Sequence, residues 1–266
     1  MASKLDEIVA AARERVEAAK PAVNMRSLER RAAGHQPRGF REKLQQASRP
    51  GPAIIAELKK ASPSKGLIRE QFPVAELARE LEAAGAAALS VLTDEQFFQG
   101  SLRNLEIASE ATSLPCLRKD FIVDELQLLE ARAYCADAVL LIVAALVQRE
   151  LAHLYYMARE FELDALCEVH DATELQRAID AGCDIIGVNN RDLHTFEVKL
   201  STSTQLAGQI PANVLKVSES GIHTGDDIAQ LRLAGFDAFL IGESLMRAPS
   251  PGEALSALLA RAAATV

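Results

Sequence analysis

Eight short apolar runs return at intervals of about 20 to 30 residues, and this recurrence limits the fold more than any other feature of the chain. They are AIIAEL from Ala53, ALSVLT from Ala88, PCLRKD from Pro115, AVLLIV from Ala138, DALCEV from Asp164, IIGVNN from Ile185, LKVSES from Leu215 and AFLIGE from Ala238. They are apolar nearly throughout rather than alternating, as a parallel strand buried on both faces requires. Between them lie segments of helical period with their own start and stop signals. VAELARELEAAGA steps its apolar residues by three and four and stops near Gly85, DATELQRAIDAG opens on Asp171 as N-cap and closes at Gly182, and TGDDIAQLRLAG runs likewise from Thr224 to Gly235. Strands and helices alternating in this number predict an α/β fold, a (β/α)8 TIM barrel, with a doubly wound open sheet as the weaker option. No glycine-rich dinucleotide fingerprint or Walker loop follows any strand, which weakens the open sheet further.

The barrel takes residues 46–266 as one catalytic domain, leaving residues 1–45 as an N-terminal helical extension. Leu5, Ile8, Val9, Ala12 and Val16 fall at helical spacing there, so this segment is expected to pack on the barrel or cover one of its ends. A net charge of −8 argues against nucleic acid or an anionic membrane as partner and points to a small molecule, with room for a local basic pocket that holds an anion. The longest apolar run, AVLLIVAALV at 138–147, is about half of what a membrane helix needs. Asp6, Glu7, Glu14 and Glu17 make the N-terminus unlike a signal or transit peptide, and a cytoplasmic protein is expected. The cysteines form no Cys-x-x-Cys pair and the histidines no ligand spacing, so no metal is implied.

Chemistry in a barrel is done at the C-terminal ends of the strands. Polar residues gather there: Glu57 and Lys59 after the first run, Lys119 and Asp120 at the third, Glu168 at the fifth, Asn189 and Asn190 at the sixth, Glu219 and Ser220 at the seventh. A charge aimed into a barrel mouth is partly desolvated and needs a partner or a ligand. Lysines facing glutamates satisfy each other and shift each other's pKa, which yields a general acid and a general base in one site. Gly221 in SESG and Gly242 in IGES fall just after the seventh and eighth expected strands, where barrels commonly hold a phosphate.

The motifs IIAELKKASPSKG, LRKDFIVDELQLLEARAYCADAVLLIV, GVNNRDLHTFEV, KVSESGI and FLIGESLM together resemble the indole-3-glycerol-phosphate synthase family over residues 20–250. The resemblance implies ring closure of 1-(2-carboxyphenylamino)-1-deoxy-D-ribulose 5-phosphate with loss of CO2 and water, without a cofactor. It implies Lys119 as general acid, Glu168 in the proton transfers of dehydration and Lys59 as second candidate acid. Glu57 and Glu219 would orient these groups, with Asn189 near the reacting centre and Ser220, also counted with the catalytic set, beside the phosphate or ribulose. Ser62 and Ser64 would lie in a mobile loop over the substrate and help hold its carboxylate, which Arg191 would grip. Gly221, Gly242, Glu243 and Ser244 would surround the phosphate or ribulose, Glu243 through its backbone N–H, and Asn190 would touch substrate. A phosphosugar isomerase, a Schiff-base aldolase using the paired lysines and a barrel that binds without turnover are the competing expectations. The working unit is expected to be a monomer or weak homodimer.

Overall fold

The computed structural model describes residues 3–192 and 197–264; residues 193–196, within the GVNNRDLHTFEV motif, lie outside the described residues. The eight runs are eight strands: β1 (Ala53–Leu58), β2 (Ala88–Leu92), β3 (Cys116–Lys119), β4 (Ala138–Ile142), β5 (Asp164–Val169), β6 (Ile185–Asn189), β7 (Leu215–Glu219) and β8 (Ala238–Ile241). Each pairs in parallel with the next, and β8 returns to β1 with Ala238 opposite Ala53, closing the barrel. The helices that cross between strands start and stop where the sequence signals them. Asp171 and Thr224 each accept a backbone N–H of the first helical turn, and Gly182 and Gly235 take positive φ just past the last one.

Alternation along each strand sorts the side chains into two dry layers. Ala53 and Ile55 of β1, Leu117 of β3, Leu166 of β5, and Leu215 and Val217 of β7 fill the barrel. Their neighbours Ile54, Ala56, Leu58, Cys116 and Cys167 point outward beneath the helices. Both faces are buried, which is why the strands read as unbroken apolar runs.

The N-terminal extension touches the barrel at both ends. Helix α1 (Lys4–Ala19) begins with a capping box in which Ser3 and Asp6 satisfy each other's backbone N–H, and it buries Ile8, Ala12 and Val16. Its Arg15 reaches the loops above the strands, donating to Asp94 at 2.8 Å and to Asp120 at 3.3 Å. Helix α2 (Met25–Ala33) descends beside the barrel, packing Ala32 against Leu129 and Ala133 and stacking Arg31 over the Tyr134 ring at 4.2 Å. Helix α3 (Phe40–Ser48) seals the bottom: Phe40 and Leu44 are fully buried among Ala53, Ile55, Ala138 and Leu215. A division between residues 45 and 46 therefore falls inside α3. Between α2 and α3 the chain is tied to Asp137, a buried carboxylate just before β4, which accepts His35 Nε2 at 3.1 Å, Arg38 N–H at 2.7 Å and Cys116 N–H at 2.6 Å.

Candidate active site

The inward rows of the odd-numbered strands turn polar at the mouth. Ile55 is followed two residues on by Glu57 and then Lys59, Leu117 by Lys119, Leu166 by Glu168, and Val217 by Glu219. The period of two that packs the barrel thus also aims these side chains into one space. Even-numbered strands make room for them. Gly187 on β6 lies against Glu219 and Leu166, and Gly242 after β8 lies against Glu57, so a side chain at either position would collide with a carboxylate.

The resulting cavity of about 340 Å³ is lined by Glu57, Lys59, Lys119, Glu168, Asn189 and Glu219 at its floor. At its rim stand Ser62, Ser64, Arg191, Ser220, Gly221, Gly242, Glu243 and Ser244. Of the residues singled out from the sequence, Asn190 is the exception. Its buried amide donates to Ser218 Oγ, Glu219 O and Ser220 O at 3.0 to 3.1 Å, and its oxygen accepts Ser203 N–H at 3.0 Å. It holds the turn after β7, where Ser220 adopts φ 66° and Gly221 φ 78°, and its N–H groups are spent on that turn rather than turned into the cavity. Alternation explains the difference: Asn189 faces inward and Asn190 outward.

Lys119 Nζ sits 2.9 Å from Glu168 Oε2 and 2.7 Å from Glu219 Oε2, while Lys59 pairs with Glu57. Burial disfavours the Lys119 ammonium, but Glu168, Glu219 and Glu57 outweigh it and raise the pKa above the ordinary lysine value. Burial also pushes the Glu168 carboxyl up, yet Lys119 and His170 hold it well below the usual range. Glu219 goes the other way. Burial, with help from Glu168 and Glu57, pushes it up to about 7 against the pull of Lys119.

The rim carries positive charge from the hairpin after β1, the end of β6 and the helix after β8. After β1 the chain makes a two-rung hairpin, Ala61–Ser62 against Gly66–Leu67, whose base is closed by Ile68 and Arg69 N–H donating to Lys60 O. Ser64 and Lys65 are exposed at its tip. Glu243 turns its carboxylate toward Arg191 at 3.6 Å, Arg247 at 3.2 Å and Lys65 at 3.9 Å, and its helix Glu243–Arg247 points N-terminal N–H groups at the cavity. Arg69 braces the far end of that helix by donating to Met246 O and Ala248 O.

Residues that sequence reasoning left out complete the apolar wall: Leu92, Phe98, Phe121 and Ile142, with Leu5 and Ile8 of α1 above them. The stripe on α1 was readable, but its docking at the mouth was not. Among the described residues no group of His, Cys, Asp and Glu side chains is arranged to hold a metal, and no helix is long and apolar enough to cross a membrane.

Comparison with known proteins agrees with this geometry. Residues 5–258 match the family model described as indole-3-glycerol phosphate synthase. The chain is 57% identical over 259 residues to the indole-3-glycerol phosphate synthase of Koribacter versatilis, covering 97% of this chain and 100% of that one. It is 47% identical over 257 residues to that of Burkholderia vietnamiensis, covering 96% and 98%. Among solved structures it resembles a thiamine phosphate pyrophosphorylase from Pyrococcus furiosus, with TM-score 0.61, 16% identity and coverage of 82% and 98%, a likeness of fold alone. With a closed barrel, two lysine–glutamate pairs in its mouth and relatives matched along nearly their whole length, the chain belongs to the indole-3-glycerol phosphate synthase family.

Proposed function

We propose that the cavity closes the indole ring with Lys119 as the general acid. The supporting observation is the position of Lys119 between Glu168 and Glu219 at the cavity floor. As the aromatic carbon of the substrate attacks the ketone, negative charge develops on the ketone oxygen; an ammonium held in place by two carboxylates can deliver a proton there. Loss of CO2 follows, and the hydroxyl then leaves as water. Glu168 takes the proton released in that step, and Lys59, steadied by Glu57, is the second acid.

The same features weigh against a Schiff-base aldolase, because a lysine kept protonated by its neighbours is a poor nucleophile. Asn189 and Ser220 border the reacting centre. The substrate phosphate is assigned to Gly221, Gly242 and Ser244, where glycine lets the backbone come close and the first N–H groups of a helix lack intrahelical acceptors. Glu243 occupies the cations Arg191 and Lys65 until the substrate's own anions arrive, and Ser62 and Ser64 sit on the hairpin that covers them. The mouth is roofed by α1 of the same chain, which supports a monomer or weak homodimer as the working unit, and the four free cysteines support a cytoplasmic setting.

The test is to follow indole fluorescence on adding the carboxyphenylamino-deoxyribulose phosphate without metal. Lys119→Arg keeps the positive charge between the two glutamates but cannot release a proton, so turnover is expected to fall about 10²- to 10⁴-fold in a folded protein. Undiminished turnover in that variant would remove Lys119 from the role of acid.

A further inference from the structure

His170 lies just beyond β5, two residues after Glu168 on the same inward row, with its side chain nearly buried. Its Nδ1 is 3.0 Å from Glu174 Oε2, and the same carboxylate oxygen accepts the His170 backbone N–H at 2.8 Å. Glu174 is itself fixed in the first turn of the helix Ala172–Asp180, where its own N–H caps onto Asp171. The other ring nitrogen, Nε2, faces Glu168 Oε1 at 3.4 Å and has no hydrogen-bond partner. Glu168 thus has a cation on each oxygen, Lys119 on Oε2 and the imidazole on Oε1.

We propose that His170 is a positioning residue for the ring-closing site: anchored by Glu174, its ring holds Glu168 in the orientation that meets Lys119. This rests on the role proposed above for Glu168. A glutamate side chain at a barrel mouth has several rotamers, and a single lysine, shared with Glu219, constrains only one of its oxygens. The imidazole faces the other at ion-pair distance. Burial opposes a charge on the ring, but Glu168 and Glu174 raise its pKa to about 10, which favours the imidazolium. The groups that set the charge of Glu168 are therefore Lys119 from β3, His170 from its own loop, and, acting through Lys119, Glu219 from β7 and Glu57 from β1.

The experiment is the pH dependence of kcat and KM for wild type, His170→Gln, His170→Ala and Glu174→Gln, with Glu168→Gln as control. Removing the imidazolium raises the pKa of Glu168, so where ionised Glu168 is required the acid limb of kcat, low in wild type because Lys119 and His170 hold that carboxyl down, moves up toward the ordinary carboxylate range. The expected result is a fall in kcat of about tenfold in His170→Ala with KM within about twofold, and an acid limb shifted up by about half to one pH unit. Glu174→Gln should shift the limb in the same direction by less, since it removes the anchor and leaves the ring. His170→Gln keeps a donor without the charge, so it should recover part of kcat but not the position of the limb. Folded His170 variants with an unmoved acid limb would overturn the proposal and leave His170 a packing residue. If Glu168→Gln itself turns over normally, the reading of Glu168 fails first, and the two failures are told apart by that control.

Discussion

At Glu219 the barrel holds a carboxyl group that water does not reach. One oxygen meets Lys119; the other, Oε1, has no hydrogen-bond partner and lies against Gly187. Two further glutamates share the same field, and the group is pushed up to about 7, burial being the largest cause. An acid whose pKa is raised on folding costs nothing below its unfolded value of about 4.3, and the cost grows with pH until it is complete above 7. Glu219→Gln keeps the shape and removes the charge. At about pH 4, where Glu219 is largely protonated both folded and unfolded, the variant should melt nearly with wild type; at pH 8 it should melt at least about 2–4 °C higher while ring closure slows. A difference in melting temperature that is the same at both values would show that the charge is not what strains the site.

Helix α1 is the element whose task the sequence states least clearly. Its apolar stripe shows that one face is buried, but a stripe fits either end of a barrel equally well. What selects the mouth is Arg15, which pairs with Asp94 and Asp120 from two different loops, Asp120 being the residue after Lys119. Arg15→Ala should therefore loosen the roof of the cavity and raise KM several-fold, measured by steady-state kinetics. The loss of stability should be about 1 kcal/mol, because the guanidinium is partly exposed and both aspartates keep other donors. An unchanged KM would mean that α1 roofs the cavity without helping to hold the substrate. The strands themselves were legible because two dry faces leave no ambiguity of period, and the inward glutamates and lysines were legible because alternation extends past the strand ends. Asn190 shows the limit. Next to an inward Asn189 it looks like a second contact, yet one step along a strand reverses direction, and its amide serves the β7 turn. His170 was hidden for another reason: its pairing with Glu174 four residues on is local, but that the ring then faces Glu168 depends on how the chain turns from β5 into the following helix.

For the whole molecule, charge links the fold to pH through two histidines, the buried His35 and the nearly buried His170. His35 fastens the strap between α2 and α3 to Asp137; burial opposes its charge, but Asp137 and Cys135 raise its pKa to about 9. His170, among Glu168 and Glu174, is raised to about 10. Each holds a proton in the folded state that an unfolded histidine releases near 6.5, so each contributes stability that is complete below that value and is lost as pH rises through the folded pKa. Between about pH 7 and 9 the folded chain binds more protons than the unfolded one, and unfolding free energy should fall as pH rises, by up to about 1.4 kcal/mol per unit for each extra proton. Glu219, half ionised near pH 7, adds to the lower part of this slope and drops out once its charge is complete about a pH unit higher. The two histidines can be separated because they sit at opposite ends of the barrel. His35→Gln should lower stability at pH 6.5 and make the alkaline decline shallower while kcat keeps its pH profile, whereas His170→Gln should flatten the decline and also move the acid limb. Denaturant midpoints measured at half-unit steps from pH 6 to 9.5 decide the matter. A decline as steep in both variants as in wild type would mean that neither histidine carries the linkage, and the N-terminal strap would then owe its hold on the barrel to the backbone bonds of Asp137 and the packing of Phe40 and Leu44.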